Sequence, residues 1–136
     1  MIQVIHGKKG SGKTKRIIDL ANHSIKESKS DVLFIDDDNR YMFDLRHEVR
    51  FINAGEYGII SAEMFLGFLC GLLAQNFDVG TIFIDAFLKL IKIDLKDAKW
   101  FFDRLDGLCE RHGVEFVLSI SEDTENLPEF VVKYIA

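Results

Sequence analysis

Short apolar runs punctuate the chain at Ile2–His6, Val32–Asp36, Thr81–Asp85 and Val114–Ile120, and within each run the apolar residues are nearly continuous rather than alternating. Runs of that length and character are strands covered on both faces, the situation of central strands in a parallel sheet. Between them the period changes. From Lys13 to about Lys29, Ile17, Leu20, Ala21 and Ile25 recur at helical spacing with polar residues between, which predicts an amphipathic helix. A second such helix runs over Asp97–His112 with Ala98, Phe101, Phe102, Leu105 and Leu108 inward, and Gly113 ends it as a left-handed terminal residue. Ser61 is suited to cap a helix from Ala62 to about Gln75. That helix is apolar nearly all round, so it is either buried on several sides or the contact for a homo-oligomer or protein partner.

The remaining segments are less regular. Val49–Asn53 reads as a short strand before a turn at Ala54 and Gly55, and residues 41–47 carry no assignable period. Residues 121–126 form a polar loop, after which Pro128 suits the first turn of a short terminal helix, in competition with a last strand over Phe130–Ile135. Strands alternating with helices predict an α/β fold, a three-layer αβα sandwich with a mostly parallel central sheet. At 136 residues, with no linker, repeat or low-complexity tract, residues 1–136 are expected to form a single domain.

Composition narrows the function. A net charge of −5 gives no support to a nucleic-acid partner, which a basic patch or stripe normally meets. The local cluster Lys8, Lys9, Lys13, Lys15 and Arg16 is explained more simply by a bound triphosphate. The most apolar stretch, residues 59–74, contains Glu63 and falls short of the roughly 20 residues a membrane span needs. The first residues enter a strand directly instead of forming a signal peptide, so a cytoplasmic protein is expected. Cys70 and Cys109 have no metal-ligand spacing and read as two buried thiols in a reducing compartment.

The residues that carry chemistry begin at position 7. Gly7, Lys8, Lys9, Gly10, Ser11, Gly12, Lys13 and Thr14 satisfy the pattern G-x-x-x-x-G-K-[ST] between a buried strand and an amphipathic helix. In that context the glycines let backbone N–H groups turn inward on phosphates, and the helix N-terminus adds its partial positive charge. Lys13 then reaches the β- and γ-phosphates, and the Thr14 hydroxyl ligates Mg²⁺. Asp85 ends the run Thr-Ile-Phe-Ile-Asp, where a carboxylate at a strand end is suited to orient the same metal. His6 reads as a packed strand-end residue. Trp100, Phe101 and Phe102 read as helix residues of which two face the core.

On these motifs the sequence resembles the P-loop NTPases and, within them, the RecA-like ATPase core, over roughly residues 1–121. The resemblance implies ATP and Mg²⁺ as ligands and ATP hydrolysis as the activity. It also implies a water-orienting acid after the second strand, where Asp36, Asp37 and Asp38 stand and Asp38 falls nearest, and a γ-phosphate sensor at Ser119 or Ser121. The sequence departs from the family in two places: the shorter aspartate stands where the family uses glutamate, and Ala86 follows Asp85 where many relatives carry a catalytic glutamate. Two other readings follow from the same residues. One is a small-molecule kinase with Asp36 or Asp38 positioning the acceptor, although no Arg-rich lid is visible; the other is a non-hydrolysing regulatory or assembly module. Arg104 and Arg111 read as a solvated helix face rather than as arginine fingers.

Overall fold

The computed structural model describes residues 1–27 and 29–136. Among the described residues five strands, β1 (Ile2–Gly7), β2 (Asp31–Asp36), β3 (Val49–Asn53), β4 (Val79–Ile84) and β5 (Glu115–Ser121), form one sheet in the order β1-β5-β4-β2-β3. Every pair in it is parallel, so the sheet is parallel throughout rather than mostly so. The helices are α1 (Lys13–Glu27), α2 (Ala62–Gln75), α3 (Phe87–Ile91), α4 (Lys99–His112) and α5 (Glu129–Val132).

Both faces of the sheet are covered, which explains the unbroken apolar runs. On one face Ile17, Ile18 and Ala21 of α1 pack on Ile5, Val32, Phe34, Phe83 and Val117, joined by Leu45 from the β2–β3 connection. On the other face α2, α3 and α4 pack through Phe65, Leu69, Phe87, Phe101 and Leu105 on Val4, Ile35, Ile84 and Leu118. The division follows the direction of travel. Connections that move from β1 to β2 to β3 lie on the α1 face, and those that return through β4 to β5 lie on the other, as a constant crossover handedness requires. Register fixes which residue faces which layer. Phe51, Phe34 and Phe83 are cross-strand partners and stack at centroid separations of 6.3 and 6.4 Å, and the row continues to Val117.

Several sequence expectations shift by a few residues. The first strand runs on through Gly7, β4 begins at Val79 and stops at Ile84, and α4 starts at Lys99 because Leu95–Asp97 form a separate 3₁₀ turn. The first helix is described as far as Glu27; of its expected tail, Ser28 lies outside the described residues. Ser61 caps α2 by accepting from the Met64 amide at 3.1 Å, and Gly113 is left-handed with φ 68°. The two expectations for the C-terminus are both partly met. Pro128 precedes α5, then the chain turns back so that Ile135 bridges Val4 in parallel on the free edge of β1. The thiols correct an expectation: Cys70 and Cys109 are free and only half-buried, because each lies on the flank of its helix. Helix α2 buries Ala62, Phe65, Leu66, Leu69 and Leu73 but leaves Met64, Gly67 and Gly71 exposed, so it is covered on one side. No helix among the described residues is long and apolar enough to cross a membrane.

Phe34 is fully buried in the aromatic row, so Phe34→Ala removes a ring that no neighbour replaces. The expected cost is about 3–5 kcal/mol, read as a lower midpoint in urea unfolding with an unchanged slope.

Candidate functional site

Parallel strands all end at one edge, and here the chain leaves β1 towards one face of the sheet and β4 and β5 towards the other. Such a reversal opens a crevice at the carboxyl edge. The crevice has a volume of about 820 Å³ and is lined by Lys9, Gly10, Gly12, Lys13 and Thr14, by Asp36, Asp37 and Asp38, by Asp85 and Ala86, and by Ser119 and Ser121.

The loop between β1 and α1 takes its shape from its glycines. Gly7, Gly10 and Gly12 have φ of 155°, 83° and 90°, a region in which a side chain is strained. At Gly7 an added Cβ would also lie 2.6 Å from the Ser11 hydroxyl. The Ser11 amide donates to the Lys8 carbonyl at 3.0 Å, which closes the turn, and the Arg16 amide donates to the Gly12 carbonyl at 3.1 Å, which opens the helix. The amides of Gly12, Lys13, Thr14 and Lys15 precede that first helical bond and are the orphan donors of the helix end, at the wall of the crevice. The first turn of α1 holds no acid to offset the helix dipole. Gly7, Lys8 and Ser11 build the loop without lining the crevice. Lys13 is buried and donates from Nζ to the Lys8 carbonyl at 2.8 Å, lying back along its own loop. Burial pushes its pKa down, partly countered by the charge of Asp85.

The sequence-predicted metal pair is brought into contact. The Thr14 hydroxyl donates to Asp85 Oδ2 at 3.2 Å, and the Ser119 hydroxyl donates to Asp85 Oδ1. Ser119 Oγ in turn accepts from the Ala86 amide at 3.1 Å. Of the two sensor candidates, buried Ser119 is therefore tied to Asp85, while Ser121 is exposed at the mouth. Ala86 is a non-glycine residue at φ 55°, a conformation that costs on the order of 1–3 kcal/mol and that turns the chain sharply from β4 into α3. Thr14 and Asp85 together supply the hard oxygen donors that suit Mg²⁺.

The three consecutive acids divide. Asp38, the predicted catalytic acid, is half-buried at the crevice wall, where its Oδ1 accepts from the Arg40 amide at 2.9 Å and its Oδ2 faces the Arg40 guanidinium at 3.4 Å. Asp36 is only 2 % exposed. Its Oδ1 accepts from the Asp37 amide at 2.7 Å, and its Oδ2 is buried with no hydrogen-bond partner. Burial, then the neighbouring Asp37 and Asp85, push its carboxyl up to about 8.

Several lining residues carried no motif. Ile18, Asp19 and Asn22 border the crevice from α1, and the helical period that places Lys15 there is the signal that points to them. Asn22 also explains the aperiodic segment: its Nδ2 donates to the Asp44 carbonyl at 3.0 Å and its Oδ1 accepts from the Arg46 amide at 2.8 Å, pinning that connection to α1. His6 stands outside the lining with Nδ1 buried and unpartnered. Arg104 and Arg111 are exposed on α4, and Phe101 and Phe102 are buried while Trp100 is partly exposed, as the helical period requires. No protein-family model and no curated protein matches the chain.

Because the folded state resists ionising Asp36, its stabilising contribution is complete below the unfolded carboxyl pKa near 4 and is lost as pH rises to about 8. Asp36→Asn keeps the shape and removes the charge. The variant is expected to match the parent near pH 4 and to exceed it by about 1–3 kcal/mol at pH 8, measured by urea unfolding across that range.

Proposed function

We propose that the chain is a P-loop nucleotide-binding protein of the RecA-like kind that holds ATP with Mg²⁺ and hydrolyses it, coupling nucleotide state to a change of shape or partner affinity. The observation that carries this reading is the loop at residues 7–14. Three of its glycines adopt positive φ, the orphan amides of a long helix border the same crevice, and a buried lysine inside it has no carboxylate hydrogen bond. An anion is the ligand that such a site suits. The Lys13 ammonium, desolvated and held on a backbone carbonyl, gains more from a phosphate than from that carbonyl.

Thr14 and Asp85, already in contact, are the residues to hold Mg²⁺, whose chemistry at such a site is to bridge phosphate oxygens and neutralise their charge. Ser119 positions Asp85 and, through the Ala86 amide, the strained turn behind it. Asp38 is the acid assigned to orient the attacking water, with Arg40 beside it screening its charge. Tyr57, Ile60 and Met64 expose apolar surface beside and along α2, and this is the face assigned to a partner that responds to the nucleotide. A cytoplasmic location agrees with the two free thiols.

Calorimetric titration with ATP and Mg²⁺, with phosphate release followed on the same sample, tests the reading. Lys13→Ala is expected to weaken ATP binding by about 10–100-fold, and Asp85→Ala to remove most of the gain in affinity that Mg²⁺ confers. Asp38→Asn is expected to bind ATP normally and to release no phosphate. Undiminished ATP affinity in the Lys13 variant contradicts the assignment.

A further inference from the structure

Asp36 lines the crevice and has no part in the nucleotide reading. Its carboxyl is buried at the end of β2, one oxygen satisfied by the Asp37 amide and the other by nothing. A buried polar oxygen left without a partner is costly, so a site that keeps one ordinarily has a partner to receive. In place of a donor, the carboxyl of Asp37 stands within hydrogen-bonding reach of the Asp36 side chain. Asp36, Asp37 and Asp38 each offer a carboxylate oxygen, and these atoms lie within 4.8 Å of one another. The charge of Asp85 acts on Asp36 as well.

Three acid oxygens at that spacing match a shared ion. With metal–oxygen distances of about 2.0–2.6 Å, ligands of one hard cation stand no more than roughly 5 Å apart even when they lie on opposite sides of it. An all-oxygen, all-carboxyl donor set selects the Mg²⁺, Mn²⁺ and Ca²⁺ class over zinc or copper. Among the described residues Arg40 pairs with the group, meeting Asp38 at 3.4 Å from an exposed position; pairs of that kind contribute little and exchange readily. We propose that Asp36, Asp37 and Asp38 form a binding site for a hard divalent cation, separate from the metal pair Thr14 and Asp85 and filled without nucleotide. The cation supplies the missing partner of Asp36 Oδ2 and sets a second positive charge in the crevice that the phosphate loop borders. Its occupancy does not depend on the nucleotide reading; only its proximity to a phosphate does.

The test is Mn²⁺ binding to the full chain in the absence of nucleotide, followed by electron paramagnetic resonance, with Ca²⁺ and Mg²⁺ as competitors. About one equivalent is expected to bind, displaced by either competitor. Asp36→Asn is expected to weaken binding by about tenfold or more, and Asp37→Asn to weaken it as well. The Asp36 variant is expected to be at least as stable as the parent, so a loss there is not a loss of fold. Lys13→Ala should bind Mn²⁺ as the parent does, which separates this site from the triphosphate site: if ATP fails to bind any form while Mn²⁺ binding persists, the nucleotide reading falls and the cation site stands. No Mn²⁺ binding without nucleotide, or binding that Asp36→Asn leaves unchanged, overturns the proposal.

Discussion

Parallel pairing is the constraint from which the rest of this molecule follows. Antiparallel strands scatter their ends over two edges, whereas the register of β1 with β5, β5 with β4 and β4 with β2 delivers Gly7, Ser121, Asp85 and Asp36 to the same edge. Parallel neighbours also need crossovers, and the crossovers cover both faces. That cover makes the strands apolar and leaves the carboxyl edge as the place where polar groups collect. The crevice is thus a consequence of the sheet, with the particular side chains deciding what it holds.

The energetic costs concentrate on that edge as well. Three glycines in one loop each give up more backbone freedom on folding than any other residue would, and Ala86 adopts a left-handed conformation at the end of β4. Lys13 is desolvated, and Asp36 is buried without a full set of partners. Each of these is unfavourable alone, and the apolar layers behind the edge supply the stability that tolerates them: Phe34, Ile35, Phe83, Ile84 and Leu118 are all buried, directly behind the residues in question. A core of this kind spends stability on an edge prepared for charge. On the two proposals, that edge accommodates two different charges side by side, an anion at the helix end and a cation among the acids.

Much of the edge was legible in the sequence because its signals are local. Gly7, Gly10, Gly12, Lys13 and Thr14 are fixed by spacing, and Asp85 by an apolar run ending in an acid. What the sequence could not rank were choices that depend on neighbours. Ser119 rather than Ser121 meets Asp85 because of the register between β4 and β5, which no single-strand pattern contains. Asp36 rather than Asp38 is the buried acid because β2 keeps pairing with β3 through Asp36 opposite Asn53. The five-residue α3 is too short to show a period, and residues 41–47 take their path from Asn22 rather than from their own composition. The chain end mixes a helical turn with a parallel bridge, so either pattern alone describes half of it.

The central claim is that the loop at residues 7–14 receives a triphosphate on its backbone amides. The most direct measurement is a titration of uniformly ¹⁵N-labelled protein with Mg²⁺ and a non-hydrolysable ATP analogue, following the backbone amide resonances. The account predicts that the amides of Gly10, Gly12, Lys13 and Thr14 move first and furthest, in saturable fashion, with the Lys13→Ala variant needing about 10–100-fold more analogue for the same shifts. Amide shifts confined to other parts of the chain, or a loop that stays still at saturating analogue, would contradict it.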